Sequence, residues 1–392
     1  MTYMKVPLAK HELTTQDKEA VIRVLGSDFL TRGPQHFEFE RAIAEYIGVK
    51  YAIATSSGTT ALHTSLCALG IAQGDVVITT PLSFIASSDC ILHAGARPVF
   101  VDVEPVTFQI DPVAVERRIK NLYAQNVAVK AILAVDLFGY IADWTALRHI
   151  AQRYHLKLIE DSCEALGSSV EIGSDCRMAG TFGDVGIFAF FPNKQIVTGE
   201  GGMIVTNDES VNRIARMVKN HGASPLGAWY EYQMLGYNYH MNEMSAALGV
   251  SQLKRVETIV DRRIAITEQY NALLASNQDV ITPPVVKHLR VSRFVYVLRL
   301  AEWFNRRDRD SLMRYLAERG ITTREYFSCI HLSLAYQKYG YGMGMERGSF
   351  PVAEDFSSHS LALPFFHTIT EEQIRYVVDN LSRGLSEIGR SK

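Results

Sequence analysis

From about residue 50 to residue 210, short unbroken runs of apolar side chains alternate with amphipathic stretches. The runs at 76–80, 98–103, 131–135, 156–160 and 186–190 are rich in β-branched or aromatic residues. They are also too short for helices, the pattern of strands buried on both faces. Helix starts fall between them. Asp111 followed by Pro112 supplies an N-cap and a proline at the first helical position, and Asp143 opens Trp144, Thr145, Ala146 and Leu147. This rhythm predicts an α/β fold with a mostly parallel sheet covered by helices on both faces.

Beyond residue 235 the pattern changes. Asn242 reads as the cap of one long helix, with Met244, Leu248, Val256, Ile259 and Val260 near helical spacing, running on towards Leu274. A smaller α+β region follows. It has a strand at 294–300 and a capping box from Thr370 to Gln373, before a terminal helix carrying Ile374, Val377, Val378 and Leu381. The expected organisation is a large lobe over 1–250, N-terminal segment included, and a small C-terminal lobe over 251–392, sharing a crevice.

Composition narrows the class of function. The chain has 392 residues, 47% of them apolar, with 40 Lys and Arg against 42 Asp and Glu for a net charge of −2. Such a balance creates no field for a polyanion, so neither nucleic acid nor an anionic membrane is an expected partner. The run Arg306, Arg307, Arg309 is diluted by Asp308 and Asp310 and reads as a solvated helix face. Five scattered cysteines (Cys67, Cys90, Cys163, Cys176 and Cys329) show no zinc or redox spacing, which suits a reducing compartment. None of the 12 histidines pairs with a carboxylate at a zinc-binding spacing, so no metal is expected. Residues 1–7 lack the apolar core of a signal peptide, and no later run is long enough to span a bilayer. A soluble cytoplasmic protein is the expectation.

Three features fall at expected strand ends, where open α/β sheets place their ligands. Ser56-Ser57-Gly58-Thr59-Thr60 follows the apolar run 51–54 and opens a helix. Small hydroxyl residues and a glycine at a helix N-terminus suit a phosphate, although helix capping by Ser57 or Thr59 is the plainer reading of this segment taken alone. Glu160-Asp161-Ser162-Cys163-Glu164 leaves the strand at 156–160, where a carboxylate serves as often as a cap. Lys194 sits on a turn after the strand at 186–190, and Thr198-Gly199-Glu200-Gly201-Gly202 then leads into a return strand. Most lysines are solvated, but this one is bracketed by segments expected to be buried. A phosphate cradle, a carboxylate for a pyridine nitrogen and a lysine able to form a Schiff base together meet the needs of pyridoxal 5′-phosphate.

The chain resembles the DegT-type nucleotide-sugar aminotransferases, fold-type-I pyridoxal phosphate enzymes that include perosamine synthase. The resemblance runs through Thr31-Arg32-Gly33-Pro34, Ser57 to His63, Gly95 to Asp102, Glu160-Asp161 and Gly183-Asp184. It continues through Lys194, Gly199 to Gly202, Leu235 to Tyr239 and Ser360 to Pro364. It implies that Lys194 is the Schiff-base lysine, that Asp161 pairs with the pyridine nitrogen and that Glu164 approaches the ring hydroxyl. Gly58, Thr59 and Thr60 would form the phosphate cradle and Phe84 would stack on the ring, although a core aromatic is the plainer reading of Phe84. Asn238 would reach the phosphate of the partner subunit's cofactor, which makes the active unit a homodimer. Tyr326 and His331 lie where relatives approach the sugar nucleotide, and packing roles suit both equally.

The implied reaction moves the amino group of L-glutamate to a nucleotide-linked keto sugar, with C4 of a 4-keto-6-deoxyhexose favoured by Glu164 and by Asn193-Lys194-Gln195. A 3-keto sugar, a cyclitol or aromatic-precursor ketone, and a non-catalytic cofactor-binding sensor are the alternatives. Two departures stand out. Ala189 replaces the serine that the family commonly places between two phenylalanines, and His240 stands where relatives tend to carry arginine or asparagine.

Overall fold

The computed structural model describes residues 4–173, 175–224, 231–339 and 346–390. The first three residues of the N-terminal stretch read above therefore lie outside the described residues. In chain order the strands are β1 (Tyr51–Thr55), β2 (Val76–Thr79), β3 (Arg97–Phe100), β4 (Ala131–Val135) and β5 (Lys157–Asp161). They continue with β6 (Ser169–Ile172), β7 (Asp175–Met178), β8 (Val185–Ala189), β9 (Gly202–Thr206) and β10 (Val280–Ile281). The last three are β11 (Leu289–Arg290), β12 (Tyr296–Leu300) and β13 (Ser360–Leu363).

Seven of them form one sheet in the order β1-β9-β8-β5-β4-β2-β3. Strands β3, β2, β4, β5 and β8 run parallel, and β9 runs against both of its neighbours, β8 and β1. The five runs singled out from the sequence are β2, β3, β4, β5 and β8. Each is covered on both faces, because helices such as Pro112–Ala124 and Trp144–Tyr154 pack on one side and Gly58–Ala68 on the other. Asp111 and Asp143 cap the first two of these helices, as read from the sequence.

The helix after Asn242 is not continuous. It splits into Glu243–Leu253 and Val256–Leu274, with Arg255 at φ −121°, ψ 15° between them. The break aims the Arg255 guanidinium at Glu12 (3.1 Å) and Asp17 (2.8 Å), which ties the N-terminal segment down. Apolar periodicity carries no trace of such a partner 238 residues away.

A second core is built around the antiparallel sheet β10-β12-β13 and the inward face of Glu371–Arg390, where Ile374, Val377, Val378 and Leu381 are buried. Thr370 and Gln373 exchange backbone-to-side-chain bonds of 3.0 and 3.2 Å at the start of that helix. Val6, from the other end of the chain, joins this core and bridges to Ile321. Among the described residues no helix is long and apolar enough to cross a membrane, and no cluster of His, Cys, Asp and Glu is arranged to hold a metal.

Parallel strands end on a common edge. The loops after β1, β2, β4, β5 and β8 therefore converge, and a cavity lies there.

Candidate active site

The cavity has a volume of about 430 Å³. Its lining combines Ser57, Gly58 and Thr59 after β1, Phe84 after β2, Asp161 and Glu164 after β5, and Asn193 and Lys194 after β8. Phe294 and Tyr326, from later in the chain, complete the lining.

Asp161 is the last residue of β5, and both carboxylate oxygens are held. Ser87 Oγ donates to Oδ2 at 2.7 Å and the Cys163 N–H donates to Oδ1 at 3.2 Å. Lys194 sits on a tight turn whose N–H reaches Phe191 O at 2.9 Å. Its Nζ lies 3.6 Å from Glu164 Oε1 and 4.0 Å from the centre of the Phe294 ring, a cation–π contact. Burial pushes the Glu164 carboxyl pKa up, and the Lys194 ammonium pulls it back. The other Glu164 oxygen accepts the Phe138 N–H at 2.8 Å. Phe138 adopts φ 58°, ψ 20° there, a conformation unusual for a bulky residue and held by its surroundings. Gln195 Nε2 donates to Glu164 O and Ser292 O at 2.8 and 2.6 Å, fixing the far side of the lysine turn.

The opposite end of the cavity is the start of helix Gly58–Ala68. Ser57 caps it, and the first-turn N–H groups of Gly58 and Thr59 border the cavity at the positive end of the helix dipole. Glycine is required at 58 because a Cβ there would sit 2.8 Å from Ala189 Cβ and 3.2 Å from Cys163 Sγ. Gly202 lets β9 pass close beneath, since its Cβ would fall 2.2 Å from Ser57 O. Thr60 is committed locally: its hydroxyl accepts the Ser57 N–H at 3.0 Å and donates to Ser57 O at 2.9 Å. It shapes the loop and does not line the cavity. Phe84 presents a bare ring at the mouth, 59% exposed in spite of being apolar.

Tyr326 faces the cavity, with Asn193 Nδ2 donating to its hydroxyl at 3.2 Å. Burial and the nearby Glu164 carboxylate push the phenol pKa up to about 12. His331 is placed elsewhere. It is fully buried, with Nε2 3.2 Å from Glu354 Oε1 and its ring edge-on to Phe350, a packing role for this residue. Asn238 is exposed and lies outside this chain's own cavity. Its segment is pinned by a bridge to Asn220 and by the bond from Ser56 N to Tyr239 O, next to the cap loop. Sequence reading missed Ser87 and Phe294. Ser87 stands three residues after Phe84 on the same turn, a spacing that could have drawn attention to it.

His240 Nε2 is 3.0 Å from Asn220 Oδ1. Burial, with Lys219, Arg32, His36 and His221 around it, lowers its pKa to about 4. A histidine depressed in the fold takes up its proton more readily when unfolded, so its stabilising contribution is present above pH 6.5 and lost as the pH falls towards 4. The cofactor-free chain should therefore lose stability over that window. His240→Gln should flatten this part of the melting-temperature profile, as measured by calorimetry across pH.

These residues fit pyridoxal phosphate by their chemistry. A primary amine, a doubly anchored carboxylate, a bare aromatic face and a helix N-terminus all border one cavity. Comparison with known proteins agrees. Residues 11–382 match the model of the DegT/DnrJ/EryC1/StrS aminotransferase family. The chain is 34% identical to the GDP-perosamine synthase of Caulobacter vibrioides, over 97% of this chain and 98% of that one. Among solved structures, Helicobacter pylori PseC, an aminotransferase involved in the biosynthesis of pseudoaminic acid, is similar with a TM-score of 0.89 and 28% identity. That match covers 98% of this chain and all of the other (100%). DesV of S. venezuelae, solved in complex with a ketimine intermediate, is similar with a TM-score of 0.87 and 30% identity, over 97% and 98% of the two chains. The chain belongs to the DegT/DnrJ/EryC1/StrS aminotransferase family and is a pyridoxal phosphate-dependent sugar aminotransferase.

Proposed function

We propose that this enzyme moves the amino group of L-glutamate to C4 of a nucleotide-linked 4-keto-6-deoxyhexose. The observation that carries the reading is the placement of the Lys194 amine 3.6 Å from Glu164, in the cavity that Asp161 and the Gly58–Thr59 N–H groups also border. The likeness to GDP-perosamine synthase supports a 4-keto substrate over a 3-keto one.

When bound, pyridoxal phosphate supplies a carbonyl that takes and passes on an amino group and a ring that stabilises charge at the substrate carbon. Asp161 would hold the ring nitrogen, Gly58 and Thr59 would hold the phosphate with Thr60 shaping their loop, and Phe84 would cover one face of the ring. Lys194 Nζ anchors the cofactor. The same amine would move the proton at the substrate carbon, with Glu164 Oε1 beside it as the charge partner. Tyr326 borders the space left for the sugar nucleotide.

The working unit in this reading is a homodimer in which Asn238 reaches the partner's cofactor. Exposed apolar side chains gathered between Ile22 and Phe37 (Leu25, Phe29 and Leu30 among them), with Leu235, favour a buried interface in that region. The large lobe over 1–250 carries the cradle and the lobe over 251–392 closes it. The free cysteines suit a reducing cytoplasm.

The test is to supply glutamate with nucleotide-linked 3-keto and 4-keto sugars and a cyclitol ketone, and to locate the new amine by NMR. A 4-amino sugar is expected, and exclusive 3-amino or amino-cyclitol formation would overturn the C4 assignment. Ala189 gives a second check, because a serine there would regain a donor beside Gly58. Ala189→Ser should tighten cofactor binding by roughly ten-fold, the value of one hydrogen bond to a charged group, read by cofactor titration.

A further inference from the structure

The Asp161 carboxylate is held by residues at the cavity wall that none of the chemistry above uses. Ser87 Oγ lies 2.7 Å from Asp161 Oδ2, and Ser83 Oγ lies 3.0 Å from Ser87 Oγ. All three side chains are buried. A carboxylate oxygen only accepts, so Ser87 must donate to Asp161, which leaves the Ser87 oxygen to accept from Ser83. The order Ser83 to Ser87 to Asp161 is therefore fixed. The same turn carries Phe84, and the Ser87 N–H bonds to Phe84 O at 3.2 Å. Helix Ala86–His93 begins without a side-chain cap, so neither hydroxyl is engaged in ending the helix.

We infer that Ser87 is a positioning residue. Its hydroxyl, backed by Ser83, fixes the plane of the Asp161 carboxylate towards the cavity and couples it to the turn that presents Phe84. With Oδ1 held by the Cys163 N–H and Oδ2 by Ser87, each carboxylate oxygen has one fixed partner, and its remaining lone pairs serve the ring nitrogen. One hydroxyl thus links the edge and the face of the bound ring. The inference rests on the reading in which Asp161 pairs with that nitrogen.

Without the Ser87 donor the grip on the ring nitrogen loosens, the ring draws electrons less strongly and the lysine-linked nitrogen keeps its proton to a higher pH. The experiment uses the full chain titrated with pyridoxal 5′-phosphate, comparing native protein, Ser87→Ala and Ser87→Thr. It reads the dissociation constant and the pH midpoint of the bound cofactor's visible band. Ser87→Ala should bind about ten-fold more weakly, the loss of one charge-assisted hydrogen bond, with the midpoint displaced upwards. Ser87→Thr, which keeps the hydroxyl, should restore the native midpoint even if its added methyl group slows turnover. An unchanged constant and midpoint in Ser87→Ala would overturn the inference, as would a midpoint displaced equally in both variants. Failure of the native chain to bind the cofactor would instead overturn the reading of Asp161 itself, and this inference with it.

Discussion

Lys194→Ala is expected to lose essentially all transamination, a fall of about 10⁴-fold or more, because two separate functions reside in one atom. Among the described residues Nζ is the only primary amine lining the cavity, and its turn is braced by Gln195 and by Arg263 Nη2, which donates to Lys194 O at 3.2 Å. Nothing nearby replaces it. Glu164 is the nearest ionisable group, but a buried carboxylate with a raised pKa, accepting from the Phe138 N–H, cannot form the covalent link. The variant should fold normally, since the side chain makes one ion pair and one ring contact and leaves the second core untouched. Steady-state assay with glutamate and a keto sugar, alongside a melting curve, checks both halves of the expectation.

Asp161→Asn is the second large effect. The substitution keeps the shape but removes the charge that favours a protonated ring nitrogen, and its amide would have to rearrange against the donors from Ser87 and Cys163. Transition-state stabilisation of this electrostatic kind is worth roughly 10²–10³-fold per group. A decline of that order in kcat is expected, together with weaker cofactor retention. The contrast with Lys194→Ala is diagnostic. Asp161→Asn should still attach the cofactor covalently and slow the proton transfer, so single-turnover kinetics should show attachment without a matching rate of amine exchange.

Much of the cradle was legible because its parts are local. Ser57-Gly58, Asp161 and Lys194 each follow an apolar strand directly, and parallel topology brings such positions to one edge. The sheet itself followed from five short branched runs. What escaped depends on which polar partner a side chain finds, near or far along the chain. Thr60 could be read as a phosphate ligand, since sequence does not show that its hydroxyl already bonds to Ser57. His331 looked available for a substrate until Glu354 and Phe350 enclosed it. Ser87 acts on a residue 74 positions away, and the helix break at Arg255 answers to Glu12 and Asp17 at the far end of the chain. Periodicity reports which face is buried, and it is silent on which polar partner waits there.

Lys194 and its neighbours are expected to run an amino-group exchange with glutamate. The most direct measurement is to load the purified protein with pyridoxal 5′-phosphate, add L-glutamate in the absence of any keto sugar, and follow the visible band while quantifying 2-oxoglutarate. Loss of the band is expected, with about one 2-oxoglutarate formed per loaded site, and neither change in Lys194→Ala. A loaded native protein that keeps its band and forms no 2-oxoglutarate would contradict the assignment of glutamate as donor, and exchange that persists in Lys194→Ala would contradict the role given to the lysine.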